Sequence, residues 1–531
     1  MKINNKKFIL TFFITVFLLL FLKTDFRLKD TITCCGDDHD YYIHAETIAI
    51  DFDLNYSNQL LGNETRRFNV DGYIAPQGFI GSGLLSAPFL LIGHGADIIF
   101  ENSTSLSKKI LNFRLLFYSL SSVFYYFLTI QMTIKILRYL NYKFFKPHIY
   151  LFYFGSGLAY YAFERYSMTH IYECFTVTAI IYFSLRFYIN PKDKLSAFLI
   201  PLFIALGISV RWVNYFCFLL PLVTYSLVDQ NKNIKNKLFN NKYFLISALL
   251  SSFLFIFHTK ILYGRYTFNP QFVYGTSGKI NNYLNANGNI LDFISANLIN
   301  SFKILFSQEF GIFWFSPIIF VGFLISILNI LSFSKRELFL NILILLTYLP
   351  ILGTVLLWKS TAASYGFRYL FCLIPVSIIM FYRFQNTKEK KYLTLYLIIF
   401  SLFSTFSILF FETTVGTQLS LIDTTNSFGR SLKYTQPEYL SGYLGSLFEL
   451  NSYLKIFTTS FLGALIFKTL LLLFGQNSLI LILINFGLPV DNEDFINYLF
   501  QLSIIDYYRI AFISITVFFI ARLITRDVLK A

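Results

Sequence analysis

Apolar residues run through this chain in long blocks separated by short polar loops, a pattern typical of helices that cross a membrane. The first block, Phe8 to Leu22, follows Lys2, Lys6 and Lys7 and has no small-residue cleavage site after it. It predicts an uncleaved signal-anchor with its N-terminus inside. Further spans are predicted at 115–138, 147–163, 170–188, 196–210, 212–228, 243–262, 312–333, 338–357, 367–384, 391–411, 456–475, 478–488 and 509–524. The weak run at 478–488 leaves the total at about 12–14 helices.

The loops between these blocks alternate in charge, which predicts the side on which each lies. Loops rich in Lys and Arg are expected to be cytoplasmic, and they fall at 141–146, 186–194, 229–242, 334–337 and 383–391. The long first loop, 23–114, and the later loops 412–455 and 487–507 are then extracytoplasmic. Within the first loop, the apolar piece Leu84 to Ile99 contains Gly93-His94-Gly95. Its length and polar break predict an interfacial or re-entrant helix.

Composition agrees with a membrane protein of many spans. Hydrophobic residues make up 55% of the 531 positions, and only 14% are charged. The mean hydropathy is +0.57. The net charge of +15, from 44 basic and 29 acidic residues, fits basic inside loops. Because the basic residues are scattered between apolar blocks, no nucleic-acid binding is expected. We therefore predict an all-α polytopic protein of the cell (inner) membrane.

The most concentrated polar chemistry follows the first span, at Gly36-Asp37-Asp38-His39-Asp40-Tyr41-Tyr42. Three carboxylates and an imidazole within four residues could serve as a general base and as substrate ligands. An alternative is that they cap an interfacial helix or form a solvated face. The cations described next favour the chemical interpretation.

Three cations lie at the predicted outer ends of spans, where positive charge is not favoured. They are Arg211, Lys359 and Arg368. Each alone could be a boundary residue whose side chain extends to the lipid headgroups. Together, opposite a carboxylate cluster, they suit the phosphate of a lipid-linked substrate, whose head lies at that depth.

Several segments resemble the GT-C glycosyltransferase superfamily, in particular its polyprenyl-phosphate-sugar-dependent bacterial members, related to protein O-mannosyltransferases and aminoarabinose lipid A transferases. The resemblance lies in the acidic stretch and in Met168-Thr169-His170-Ile171-Tyr172-Glu173, Ser209-Val210-Arg211-Trp212, Gly311-Ile312-Phe313-Trp314-Phe315-Ser316-Pro317 and Ser364-Tyr365-Gly366-Phe367-Arg368-Tyr369-Leu370. It implies a catalytic transmembrane module over 1–385, with additional helices over 386–531. The chain departs from the family in having Asp38 for the commoner Glu and Phe367 for the usual Pro.

The resemblance implies transfer of a hexose or pentose from a polyprenyl-phosphate donor to an extracytoplasmic lipid, glycan or protein, with inversion. Asp37 would be the base, and Asp38 would orient the acceptor or the sugar. Arg211, Lys359 and Arg368 would hold the donor phosphate. The remaining candidates for substrate binding are His39, Asp40, His170, Tyr172 and Tyr365. A buried structural histidine is an equal alternative for His170.

No cofactor is expected. A divalent metal held by Asp37, Asp38, His39 and Asp40 is an alternative, disfavoured because ligands crowded into four residues rarely encircle an ion. Two other classes of protein remain open: a transporter or channel, and a non-catalytic partner in glycan assembly. Few ionisable residues in the middle of the spans and no evident internal repeat count against transport.

Overall fold

The computed structural model describes residues 5–22, 36–60, 67–76, 78–103, 113–228, 240–268, 301–308, 310–329, 338–348, 365–384, 387–410 and 507–529, with a few isolated positions elsewhere. Most of these residues are helical. Four of the helices are long and apolar enough to cross a membrane: Ile80–Ile99, Phe113–Tyr139, Lys242–Tyr263 and Glu389–Ile408. Helices of this kind indicate a membrane protein. The predicted outer loops 412–455 and 487–507 lie outside the described residues.

Residues 5–227 form nine α-helices within the described part. They are α1 Asn5–Leu22, α2 Gly36–Glu46, α3 Ile80–Ser103, α4 Phe113–Tyr139, α5 Lys146–Phe154, α6 Leu158–Phe163, α7 His170–Ile189, α8 Lys194–Val210 and α9 Leu220–Leu227. A π-helical turn, Thr47–Asp51, extends α2, and a 3₁₀ helix, Trp212–Leu219, precedes α9. Later helices are Lys242–Tyr263, Ile312–Phe315, Pro317–Leu328, Leu338–Tyr348, Ile374–Arg383, Thr387–Phe410 and Tyr507–Leu529, with a 3₁₀ helix at Arg368–Leu373.

The all-α prediction misses a small β-hairpin in the first loop. Strands β1 (Arg67–Val70) and β2 (Tyr73–Pro76) pair antiparallel, with Val70 opposite Tyr73. The turn between them is Asp71-Gly72, and both residues have positive φ, 54° and 79°. Asp-Gly is a favoured two-residue hairpin turn because both residues tolerate this conformation. The chain is therefore helical with one local hairpin.

The predicted span 147–163 is two helices, α5 and α6, with a break at Gly155–Gly157. A Cβ at Gly155 would lie 2.5 Å from the backbone of Ser401, so the two segments touch through glycine. The amide of Gly157 leaves the helical pattern and donates to the carbonyl of Phe315 at 3.1 Å. The break follows from packing against later helices.

Helix α3 runs without a break through Gly93-His94-Gly95, the polar interruption from which the sequence predicts an interfacial or re-entrant helix, and it is long and apolar enough to cross a membrane. Gly93 packs against the start of α4, where a Cβ would come within 2.5 Å of the carbonyl oxygen of Phe113. One turn later, Asp97 accepts the amides of Phe113 and Arg114 at 2.6 and 3.1 Å. Gly93 is therefore a contact point between helices.

Helix α2 is fixed to the rest of the first loop by His44, which is fully buried. Its Nε2 bonds the carbonyl of Gly78 at 2.8 Å, so Nε2 must carry the proton and Nδ1 accepts from the Tyr56 hydroxyl at 2.7 Å. Burial lowers the pKa of His44 to about 4. Gly83 of α3 allows this approach, since a Cβ at position 83 would come within 2.5 Å of the Cβ of His44. A neutral histidine thus joins α2 to the segment that precedes α3.

The last described helix returns to the beginning of the chain. Tyr507–Leu529 packs against α1 and α5. Near its end, the buried carboxylate of Asp527 accepts hydrogen bonds from Gln131 at 2.6 Å and Tyr150 at 3.0 Å. Lys146 lies 3.7 Å from the same carboxylate. Polar contacts therefore fix the end of this helix to α4 and α5.

Candidate active site

The acidic stretch forms the start of α2, with Asp37 and Asp38 in its first turn. Carboxylates there interact favourably with the positive end of the helix dipole. Successive residues of an α-helix point about 100° apart, so the two side chains take different environments. Asp38 is fully buried, whereas Asp37 and His39 are exposed.

Asp38 is held by two residues from the segment between α6 and α7. Arg165 donates to its Oδ2 from Nε at 3.0 Å and from Nη2 at 2.8 Å, and the Ser167 hydroxyl donates to Oδ1 at 2.5 Å. Arg165 is 3% exposed. Burial opposes the charge on this guanidinium, but Asp38 outweighs burial and the pKa of Arg165 is raised. We call this group, Asp38, Arg165 and Ser167, the clasp. It fixes the first turn of α2 to the helical core.

A second buried ion pair lies between α7 and the end of α8. Glu173 is fully buried, and Nη1 of Arg211 contacts both of its carboxylate oxygens, at 3.1 and 3.2 Å. Helix α8 ends at Val210, as the sequence predicts, and Arg211 takes an extended conformation (φ −152°). This turn allows the guanidinium to reach back to α7.

Tyr369 lies next to two guanidinium groups. Cζ of Arg211 is 4.9 Å from the centre of its ring, and Cζ of Arg368 is 5.2 Å away. Arg368 also donates from Nη2 to the Tyr369 hydroxyl at 3.3 Å. Cation–π contacts of this kind partly offset the cost of placing arginines in an apolar environment.

The three arginines of this region, Arg165, Arg211 and Arg368, differ in how their charge is balanced. Arg165 is paired with Asp38 and Arg211 with Glu173. Within the described part of the chain, no carboxylate forms an ion pair with Arg368. Asp37 nevertheless interacts electrostatically with both Arg368 and Tyr369. Asp37, at the start of α2, and Arg368 therefore belong to one site.

His170, at the start of α7, lies in the same region and is 2% exposed. Its ring is 4.7 Å from that of Tyr161 and 6.3 Å from that of Tyr369, centre to centre. Nδ1 lies 3.5 Å from Glu173 Oε2. The structure thus brings together Asp37, Arg211, Arg368 and His170 of the predicted residues.

The other predicted residues have different surroundings. Tyr172 is buried, and its hydroxyl pairs with that of Ser121 on α4 at 2.6 Å. The Tyr365 hydroxyl donates to the carbonyl of Ser404 at 2.9 Å. Asp40 is buried on α2. Lys359 lies outside the described residues. The substrate-binding roles predicted for these residues stay predictions.

The acidic stretch does not form a metal-binding arrangement in the described structure. Asp38 is engaged by Arg165, and Asp37 and His39 point outward from the helix. Among the described residues no group of three or more His, Cys, Asp or Glu side chains is arranged to hold a metal.

Sequence reasoning missed Arg165, Ser167, Glu173 and Tyr369 as members of the site. Glu173 and Tyr369 stand within the segments that carry the family resemblance, but neither is singled out there. The available signal was charge at the ends of apolar blocks, since charged residues at membrane depth are costly and usually paired. Glu164, Arg165 and Glu173 all carry that signal.

No family model matches the sequence, and no curated protein matches it. Among solved structures, the chain is similar to an oligosaccharyltransferase of Archaeoglobus fulgidus in complex with zinc and sulfate, with a TM-score of 0.42 and 14% identity over 82% of this chain and 57% of that chain. The same organism's oligosaccharyltransferase AglB, in complex with an inhibitory peptide and a dolichol-phosphate, gives a TM-score of 0.38 and 13% identity over 83% and 59%. The chain thus spans a little over half of those proteins. Because the TM-scores are below 0.5, their activity is not transferred to this chain.

Proposed function

We propose that this chain is a GT-C-type membrane glycosyltransferase, with its site on the extracytoplasmic side. It moves a sugar from a polyprenyl-phosphate donor to an acceptor hydroxyl, and Asp37 is the general base. The observation that carries the proposal is the electrostatic interaction between Asp37 and Arg368, which lie 331 positions apart in the sequence. An exposed carboxylate that interacts with an arginine having no ion-pair partner among the described residues supplies the two groups that this reaction needs.

The roles follow from charge and exposure. Arg368 binds the donor phosphate, because Arg165 and Arg211 are already neutralised by Asp38 and Glu173. Asp37 is exposed and can meet an acceptor arriving from water. Asp38 supports α2 through the clasp, and the orienting role that the resemblance implies for it stays a prediction.

In the proposed reaction, Asp37 accepts the proton of the acceptor hydroxyl as its oxygen attacks the anomeric carbon of the sugar. The bond between that carbon and the phosphate oxygen breaks, and the phosphate leaves with the electron pair. Arg368 stabilises the added negative charge on the leaving phosphate. A single displacement inverts the configuration at the anomeric carbon.

The test is Asp37→Asn in the cells that make the protein, with Asp71→Asn as the control. Both replacements remove an exposed carboxylate of the first loop, and Asn is well tolerated at the positive φ of position 71. Mass spectrometry would compare envelope glycans and lipids with those of a deletion strain, at matched protein amounts. Asp37→Asn should reproduce the deletion profile, since loss of a general base costs about a hundred- to ten-thousand-fold in rate.

Asp71→Asn should retain the normal profile. A normal profile for Asp37→Asn would remove Asp37 from the chemistry. A deletion strain with unchanged glycans and lipids would contradict the proposed function itself.

A further inference from the structure

Two polar groups beside Arg368 are buried without a well-formed hydrogen bond to the described residues. The Tyr161 hydroxyl has only the Arg368 guanidinium as a nearby hydrogen-bonding group, at poor geometry, and Nε2 of His170 bonds to no residue of the described chain. Tyr161 is fully buried and His170 is 2% exposed. Buried polar groups in native structures are nearly always paired. Two unpaired groups on rings in contact indicate a place that a ligand completes.

The surroundings of these two groups are aromatic. Phe371 lies 5.8 Å from Tyr161 and 6.3 Å from His170, between ring centres, and Tyr369 is 6.3 Å from His170. Aromatic walls with a few placed polar groups are typical of small-molecule sites. Arg368 interacts electrostatically with both Tyr161 and His170. Whatever binds here is therefore adjacent to the proposed phosphate position.

We propose that Tyr161 and His170 bind the sugar of the donor, and that this sugar is neutral; hexose lipids serve as the probes. This rests on the proposed function. A sugar hydroxyl both donates and accepts, so it satisfies Tyr161 and either tautomer of His170. Arg368 acts on His170 and has no carboxylate in an ion pair among the described residues, so its charge would repel an amino sugar that carries a positive charge. Arg368 and Tyr369 are partly exposed, so the donor would enter the site past these two residues.

Tyr161→Phe tests the proposal, because it removes only the unpaired hydroxyl. The purified protein in detergent would be titrated with undecaprenyl phosphate and with undecaprenyl phosphate carrying glucose, mannose or galactose. At least one hexose lipid should bind the wild-type protein more tightly than the bare phosphate. Tyr161→Phe should weaken the binding of that hexose lipid by on the order of tenfold and leave the affinity for the bare undecaprenyl phosphate unchanged. Its thermal midpoint without ligand should be equal or higher, since a buried unpaired group is lost.

Tyr126→Phe is the matched control. The Tyr126 hydroxyl on α4 is also buried without a partner, but its ring packs among Phe154 and Phe163. This variant should show the same effect on the thermal midpoint and bind both lipids normally. A second variant, His170→Asn, keeps a polar group near Nδ1 and lacks Nε2. It should also weaken only the hexose lipid.

The outcomes separate the two proposals. If Tyr161→Phe and His170→Asn bind the hexose lipid as the wild-type protein does, the sugar site is wrong. If the wild-type protein binds bare and hexose lipids equally, the sugar site is wrong and the phosphate assignment stands. If it binds neither, the proposed function falls together with the sugar site.

Discussion

At the scale of single residues, Arg368 carries the clearest expectation for the donor. Arg368→Ala should weaken the binding of undecaprenyl phosphate by roughly ten- to a hundredfold, because a hydrogen bond to a charged group contributes about 1.5–3 kcal/mol. Arg368→Lys should lie between Ala and the wild-type protein, since it keeps the charge and loses the planar fork. Titration of the purified variants measures this. An Ala variant with normal affinity would contradict the assignment.

His44 gives a prediction about pH. Its pKa is about 4 in the folded protein and 6.5 ordinarily, so between these values the unfolded chain binds more protons. The contribution of His44 to the free energy of unfolding is therefore fully present above pH 6.5 and is lost as the pH falls towards 4. At pH 5 the loss amounts to about 2 kcal/mol. The thermal midpoint in detergent should fall between pH 7 and 5.

Comparison with His44→Gln isolates this residue. The variant lacks the titrating ring, so its midpoint should fall less over the same range, even though it is less stable at pH 7. Equal slopes for the two proteins would show that His44 does not couple α2 to pH.

At the scale of elements, the clasp determines where α2 lies. Arg165→Met removes the guanidinium that compensates the buried Asp38 charge, and the loss of one member of a buried ion pair typically costs about 3–5 kcal/mol. Arg186→Met is the matched control, because it breaks an equally short pair with Asp193 at 2.7 Å in which Arg186 is 32% exposed. An exposed pair contributes about 0–1 kcal/mol. Thermal unfolding and limited proteolysis should separate the two variants widely, and similar losses would contradict the clasp.

The same elements show what the sequence can and cannot predict. The helix at Phe113–Tyr139 lies within two residues of the predicted 115–138, because apolar length and flanking charge are local properties. The contact made by Gly93 could not be predicted, since a glycine that interrupts an apolar run and one that admits a neighbouring helix look alike in sequence. Only the position of Phe113 distinguishes them.

The candidate site was predictable in its members and not in their pairing. Asp37, Arg211 and Arg368 stand out from the sequence because charge at membrane depth is costly. That Arg165 neutralises Asp38, and that Arg368 has no such partner among the described residues, depends on contacts between distant segments. Charge pattern along the chain carries no information about those contacts. The contact between Asp38 and Arg165 was therefore not predicted, and the orienting role that the resemblance implies for Asp38 stays a prediction.

At the scale of the whole molecule, the prediction concerns the two sides of the membrane. His39→Cys and Lys192→Cys place thiols at exposed positions in the first loop and in a basic loop. In a variant without the five native cysteines, an impermeant thiol reagent on intact cells should label position 39. Position 192 should react only after permeabilisation. The reverse pattern would contradict the proposed orientation.

The return of the last helix to α1 has a consequence for how the protein is made. About 480 residues lie between α1 and Tyr507–Leu529. At ~5–20 residues per second, the ribosome therefore makes the last helix roughly 25–100 s after α1. During that interval Asp527 has not been synthesised, so Gln131 and Tyr150 cannot yet donate hydrogen bonds to its carboxylate. Nascent chains are thus exposed to chaperones and membrane proteases until synthesis is nearly complete. A ribosome that stops shortly before residue 507 should leave a product that is degraded, although every residue of the candidate site is already present.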